Sequence, residues 1–249
     1  MDRITALAAE IHLAHRDRRL LDAAEQAPLD LGMAYAVQQT LTALRTAQGA
    51  ELVGWKLGYT SATMRRQMNV HEPNFGPLLD SMLVTEETLP DRFVQPRVEP
   101  EIALVLGSDQ QVVQARAALE VVDSVWQDYR FTLELNTADG SSAAGVVLGD
   151  ELPLTALDTV TVDMTRNGAP VGQATGAAAM GHPMAALTWL RESLDARGDA
   201  LRPGQVIITG GLTAAAPLGA DDIIEATFGS GQRVRIRGAA GHRSRPGQA

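Results

Sequence analysis

The sequence predicts an α+β fold, with a helical N-terminal segment over residues 1–50 leading into a β-rich body over residues 51–237. Three observations carry that expectation. Up to about residue 48 the apolar residues recur at helical spacing. From Leu52 onward they fall into short runs broken by glycine and proline. Those runs succeed one another with few helices between them, which favours segregated helix and sheet over a doubly wound α/β alternation.

The elements follow in order. Ile4, Leu7, Ala8 and Ile11 mark a first helix, and Leu31, Ala34, Val37, Leu41 and Leu44 a second, with Asp30 placed to cap it. Strands are expected at 52–57, 94–106, 131–136, 145–148, 159–166, 205–209, 222–228 and 232–237. Gly229-Ser230-Gly231 between the last two reads as a hairpin turn. One helix interrupts the series: Pro183 suits a first helical position, His182 precedes it as a cap, and Met184, Leu187, Leu190 and Leu194 form an apolar stripe ending near Gly198. His71 opens a rigid loop through Pro77, and residues 238–249 read as a disordered tail.

Composition narrows the class of function. With 249 residues and 45% hydrophobic content the chain can bury a sizeable core. It holds no apolar stretch of the roughly 18 to 20 residues a membrane span requires, and a cytoplasmic location is expected. The absence of cysteine removes disulfides, thiolate zinc sites and cysteine nucleophiles together. A net charge of −9 argues against nucleic acid as a partner. There is no nucleotide-binding glycine fingerprint, Walker loop or His-Glu-x-x-His helix.

The chemically loaded positions are acidic. Glu99 and Glu101 precede the apolar run Ile102–Leu106; alternation along a strand puts both on one face, roughly 6 to 7 Å apart. Buried side by side, they require a cation, and a hard divalent ion is the natural one. A strand end emerging into solvent also fits the pair. Glu120, followed by Val121-Val122 and preceded by alanines and a leucine, is a third acid in apolar company. Lys56 is the only lysine among 21 basic residues and lies in an apolar segment between Gly54 and Gly58. It is either the residue of an arginine-biased composition or an ammonium that guanidinium cannot replace. Gly210-Gly211 reads as a tight turn whose amides can hold a carboxylate, and Asp139-Gly140-Ser141-Ser142 as a turn displaying polar groups.

Seven short motifs then occur in a telling order: Gly54-Trp55-Lys56-Leu57-Gly58-Tyr59-Thr60-Ser61, Pro73-Asn74-Phe75-Gly76, Gln95 to Ala103 around Glu99-Pro100-Glu101, Leu119-Glu120-Val121-Val122-Asp123-Ser124, Thr137-Ala138-Asp139, Gly181-His182-Pro183, and Thr209-Gly210-Gly211-Leu212-Thr213. Over residues 30–237 the chain resembles the fumarylacetoacetate hydrolase superfamily, in the branch of 2-hydroxypentadienoate (2-keto-4-pentenoate) hydratases and 4-oxalocrotonate decarboxylases. The resemblance implies a mixed β-roll core with smaller helical parts, and Mg2+ or Mn2+ held by Glu99, Glu101 and Glu120. It implies catalytic roles for Lys56 and Asp139. Substrate contacts are implied at Lys56, Thr60, Phe75 and Gly76, and likewise at Ser141, Gly210 and Thr213.

Two positions depart from the family pattern. Gly140 stands where the family usually has asparagine, and Asn74 where the hydratases carry aspartate, so no acid or base duty can pass to residue 74. The leading expectation is a metal-dependent hydratase of 2-hydroxy-2,4-dienoates. The alternatives are a 4-oxalocrotonate decarboxylase, an acylpyruvate C–C hydrolase, or a non-catalytic partner subunit. Asp128-Tyr129-Arg130-Phe131 leans towards the decarboxylases; Gln95-Pro96-Arg97 and Met164-Thr165-Arg166-Asn167 lean towards the hydratases. The implied partners are a small 2-oxo or 2-hydroxy acid, further copies of the chain in a homo-oligomer, and a sister pathway enzyme, with no nucleic acid and no membrane.

Overall fold

The computed structural model describes residues 1–88 and 90–239. Two long helices open the chain, α1 (Arg3–Asp17) and α2 (Leu31–Thr46). Asp30 caps α2 as expected, its Oδ1 accepting from the Met33 amide at 2.7 Å. The strands are β1 (Leu52–Gly58), β2 (Asn74–Leu79), β3 (Glu87–Thr88), β4 (Arg97–Leu106), β5 (Val112–Val122), β6 (Ala143–Leu152), β7 (Thr161–Arg166), β8 (Ala169–Thr175), β9 (Val206–Ile208), β10 (Ala216–Pro217), β11 (Ile223–Phe228) and β12 (Gln232–Gly238). The remaining helices are α3 (Ala62–Met68), α4 (Leu133–Ala138) and α5 (Pro183–Asp195). Pro183 begins α5, and His182 caps it through Nδ1, which accepts from the Met184 amide at 3.0 Å.

These strands form two sheets. The larger runs β2-β1-β9-β4-β5-β6, with β10 added against β4; the smaller runs β3-β12-β11-β7-β8. Inward residues of both sheets, among them Ile102, Leu104, Leu119, Ile224, Phe228 and Ile236, interdigitate with Leu187 and Leu190 of α5 in one apolar core. A second cluster joins Leu7 and Ile11 of α1, Val37 and Leu41 of α2, Trp126 and Leu135. The N-terminal helices are thereby fastened to the segment that follows β5. The architecture is the α+β arrangement with N-terminal helices that the sequence predicts, and its mixed sheet core is the one the resemblance implies.

Several elements differ from expectation. Residues 131–136 were expected to extend, but Thr132 caps a helix there, its Oγ1 accepting from the Leu135 amide at 3.3 Å. The 74–79 segment is a fully buried edge strand rather than a loop; Pro77 is tolerated because only one side of β2 is paired. Strands β3, β5, β8 and β10 have no counterpart among the expected strands. The tail expected over 238–249 lies outside the described residues from position 240, and Gly238 closes β12. No helix among the described residues is long and apolar enough to cross a membrane.

Candidate functional site

Cross-strand register assembles the acidic cluster. β4 and β5 pair antiparallel with Glu99 directly opposite Glu120, and Glu101 opposite Ala118. All three side chains therefore stand on the face that continues into buried Ala103 and Ala118. Beside them β9 ends at Ile208, and the chain passes Glu101 as Thr209-Gly210-Gly211. The Gly210 amide donates to Glu101 Oε2 at 2.7 Å. Gly210 adopts φ +102°, and a Cβ there would lie 2.0 Å from Thr60 Oγ1; a Cβ on Gly211 would lie 2.3 Å from Glu99 Oε2. The glycine turn closes over the carboxylates because it has no side chains.

One oxygen from each of Glu99, Glu101 and Glu120 lies within 4.8 Å of the others, the spacing of ligands around one cation. Glu101 and Glu120 are fully buried, and Oε1 of each has no hydrogen-bond partner. Three oxygen donors, two of them with unsatisfied atoms, fit a hard divalent ion. Burial, reinforced by Glu120, pushes the Glu99 carboxyl up to about 7, with Lys56 and Arg97 opposing the rise. Burial and then Glu120 drive Glu101 well above the carboxylate range, and burial raises Glu120 against the pull of Lys56.

Lys56 stands on β1 at the level of Ile208, and its Nζ lies 3.1 Å from Glu120 Oε2 and 2.8 Å from the Ser141 carbonyl oxygen. Burial pulls this ammonium down, but Glu120, Glu101 and Glu99 outweigh it, so the net shift is upward. Lys56 is a held cation rather than a free amine.

The turn supplying the Ser141 carbonyl is itself constrained. Gly140, Ser141 and Ser142 all take left-handed φ, between 56° and 64°. Ser141 Oγ donates to Asn74 Oδ1 at 2.8 Å, and Asn136 Nδ2 donates to Ser142 Oγ at 2.8 Å. Asn74 also donates to Asn136 and Thr137, so it is a buried structural amide. Gly76 packs under the turn, and a Cβ there would come within 1.9 Å of the Gly140 carbonyl oxygen. Gly76→Ala is expected to cost about 2–3 kcal/mol of stability through this backbone clash. Calorimetry checks it: a loss below about 0.5 kcal/mol would show that the turn yields freely.

Glu99 opens the cluster onto a cavity of about 270 Å³. Of the residues expected to touch substrate, Lys56, Thr60 and Ser141 line it, together with Glu99. Phe75 does not: it is buried in an aromatic group with Tyr35 and Trp55 at ring separations of 4.7 and 5.5 Å. Gly76 lies under the turn, Gly210 addresses Glu101, and half-buried Thr213 donates to the Ala214 carbonyl, so none of the three belongs to the wall. Asp139, expected to be catalytic, is also absent from the wall. Its Oδ1 meets His15 Nε2 of α1 at 2.5 Å, and Oδ2 accepts from Ser124 Oγ and the Val125 amide at 3.1 Å each. These three contacts occupy both of its oxygens and tie the turn to α1 and to the segment after β5, so it supports the site from behind.

Sequence reasoning missed Tyr59, Arg97, Tyr129, Phe131 and Asn136, all of which line the cavity. Alternation could have found Arg97, two residues before Glu99 on β4. Tyr129 and Phe131 reach the wall through a loop that carries no period.

Comparison with known proteins places this geometry. The model of the fumarylacetoacetate (FAA) hydrolase C-terminal region matches residues 59–238. The 2-keto-4-pentenoate hydratase of Paraburkholderia phymatum is 34% identical over 85% of this chain and 88% of its own length. A Pseudomonas 4-oxalocrotonate decarboxylase is 31% identical over 91% of this chain and 93% of its own. In structure, a Pseudomonas putida 4-oxalocrotonate decarboxylase complexed with magnesium and adipate superposes with a TM-score of 0.89 at 28% identity, over 94% of this chain and 97% of that one.

Proposed function

We propose, from the premise that this chain belongs to the fumarylacetoacetate hydrolase family, that it decarboxylates a 4-oxalocrotonate-like 2-oxo diacid. It is a divalent-metal-using enzyme of that family acting on a 2-oxo or 2-hydroxy dienoic acid. The finer choice is between loss of CO2 and addition of water.

One observation carries the choice: among the described residues, the only carboxylate in the cavity wall is Glu99 of the acidic cluster, and no imidazole lines it. Tyr59, Tyr129 and Lys56 in the same wall hold their protons. Burial raises the Tyr59 and Tyr129 phenols, and the carboxylates raise Lys56. Adding water to a diene calls for a base to take a proton from that water. Decarboxylation calls for an electron sink and a proton donor, and this wall supplies donors.

Glu99, Glu101 and Glu120 would hold a divalent ion, which would supply the positive charge that makes the 2-oxo end such a sink. The bond to the distal carboxylate breaks, its electron pair moves through the conjugated carbons to the 2-oxo oxygen, and CO2 leaves. Lys56, fixed by Glu120 and the Ser141 carbonyl, faces the oxygen on which negative charge builds and returns a proton to the dienolate. Val122, Phe131, Ala214 and Ala215 give the wall its apolar surface, which shields the reacting carbons from water.

Hydration is the second reading, favoured by the 34% identity to a hydratase. The test offers the Mg2+-loaded protein 4-oxalocrotonate and 2-hydroxypenta-2,4-dienoate separately, following CO2 release and loss of dienoate absorbance. CO2 formed in step with diacid consumption, with the dienoate left intact, is the expected result. Dienoate hydration that outruns CO2 release would reverse the assignment.

A further inference from the structure

We propose that Arg97 selects a dicarboxylate substrate by binding the carboxylate distal to the 2-oxo end, a role that rests on the decarboxylase reading above. Arg97 begins β4 and shares the strand face of Glu99 and Glu101, so the cation and the metal-binding carboxylates are set along one line. Two residues of strand advance about 7 Å, a span comparable to the carbon chain that separates the two acid ends of a six-carbon oxo diacid. Both Arg97 and Glu99 line the same cavity.

The arginine is ordered yet uncommitted. Its guanidinium carbon lies 4.5 Å from the Tyr129 ring centroid. That ring is anchored in turn, because Tyr129 Oη donates to the carbonyl oxygens of Gln95 at 2.9 Å and Val122 at 3.0 Å. Among the described residues no carboxylate forms an ion pair with Arg97, and no hydrogen bond spends its donors. A planar fork of N–H groups held over an aromatic ring and lining a cavity is pre-organised for a bidentate carboxylate. The wall they share also carries Val122 and Phe131, apolar groups suited to a hydrocarbon middle.

This placement has a kinetic signature. The carboxylate that Arg97 holds becomes neutral CO2, so the contact is present in the ground state and fades as the bond breaks. Removing it weakens substrate binding without raising the barrier from the bound state. A residue needed only for folding would instead lower kcat.

The experiment uses the full-length protein with Mg2+ and compares it with Arg97→Met and Arg97→Lys. KM and kcat are measured for 4-oxalocrotonate, and inhibition constants for 2-oxoadipate and 2-oxohexanoate, which share the oxo-acid end and differ in the second carboxylate. The parent is expected to prefer 2-oxoadipate about tenfold or more. In Arg97→Met that preference disappears and the KM for the diacid rises about tenfold, with kcat equal or higher. Unchanged 2-oxohexanoate inhibition in the same variant verifies the fold, and Arg97→Lys retains part of the preference as a point charge. Equal weakening of both inhibitors would place Arg97 at the shared oxo-acid end and overturn the proposal, as would a diacid preference that survives in Arg97→Met. Failure of the decarboxylase reading is separately visible: the parent would then hydrate a dienoate without releasing CO2, whatever its preference between the inhibitors.

Discussion

Glu101→Gln is expected to abolish turnover in saturating Mg2+ while raising the thermal stability of the chelated protein. The glutamine keeps the size of the side chain and an oxygen for the Gly210 amide, which donates to Glu101 Oε2 at 2.7 Å, so the glycine turn has no reason to move. What it removes is one of three negative charges whose donor atoms lie within 4.8 Å of each other. Loss of a charged ligand weakens a divalent site and, with it, the positive charge presented to the 2-oxo oxygen. Several kcal/mol of transition-state stabilisation correspond to a fall of about a thousandfold in kcat/KM. The same change relieves the chelated protein, because a fully buried carboxylate repelled by Glu120 and Glu99 no longer has to be accommodated. Titration calorimetry with Mg2+ and a melting curve in chelator check the two halves. Activity within tenfold of the parent would remove Glu101 from the metal site. A lower melting temperature in chelator would show that the charge stabilises the empty cluster instead of straining it.

The acidic cluster was legible from sequence because its logic is local. Two-residue alternation put Glu99 and Glu101 on one face, and apolar neighbours marked Glu120 as buried. That Glu120 lies opposite Glu99 is a fact of pairing between β4 and β5, and no window of sequence contains it. Lys56 stood out by rarity, whereas its partner, the Ser141 carbonyl, is delivered by a turn 85 residues later. Asp139 shows a related limit: the sequence shows an acid beside a serine turn but not that His15 of α1 pairs with it.

The fold was read with the same bias. Helix α2 and helix α5 carry caps and stripes within a single stretch and were placed almost to the residue. The hairpin joining β7 to β8 had an explicit signal in Asn167-Gly168, both with positive φ at 53° and 78°, yet the largely exposed β8 lacked the apolar alternation that marks a strand. Phe131, Leu133 and Leu135 alternate as a strand would, and the Thr132 cap overrode the pattern.

Removing the metal should make stability fall as pH rises, and restoring it should flatten that dependence. Glu99 has its folded pKa raised from 4.5 to about 7, and Glu101 and Glu120 shift in the same direction. Between the ordinary carboxylate value and the raised one the folded state binds more protons than the unfolded chain. The slope of unfolding free energy with pH is therefore negative across that window and levels off above it. Chelated protein is expected to lose on the order of 10 °C in Tm between pH 5 and pH 8, several kcal/mol spread over a chain of this size. With Mg2+ the ligands are deprotonated by the ion, so binding releases protons and stabilises more at pH 8 than at pH 5. His12, lowered chiefly by burial and then by Arg45 and Arg16, works in the opposite sense by losing stability as pH falls. It acts equally with and without metal, so the informative quantity is the difference between the two melting curves at each pH. That difference should widen steadily from pH 5 to pH 8, and parallel curves would mean that the three carboxylates do not hold the ion.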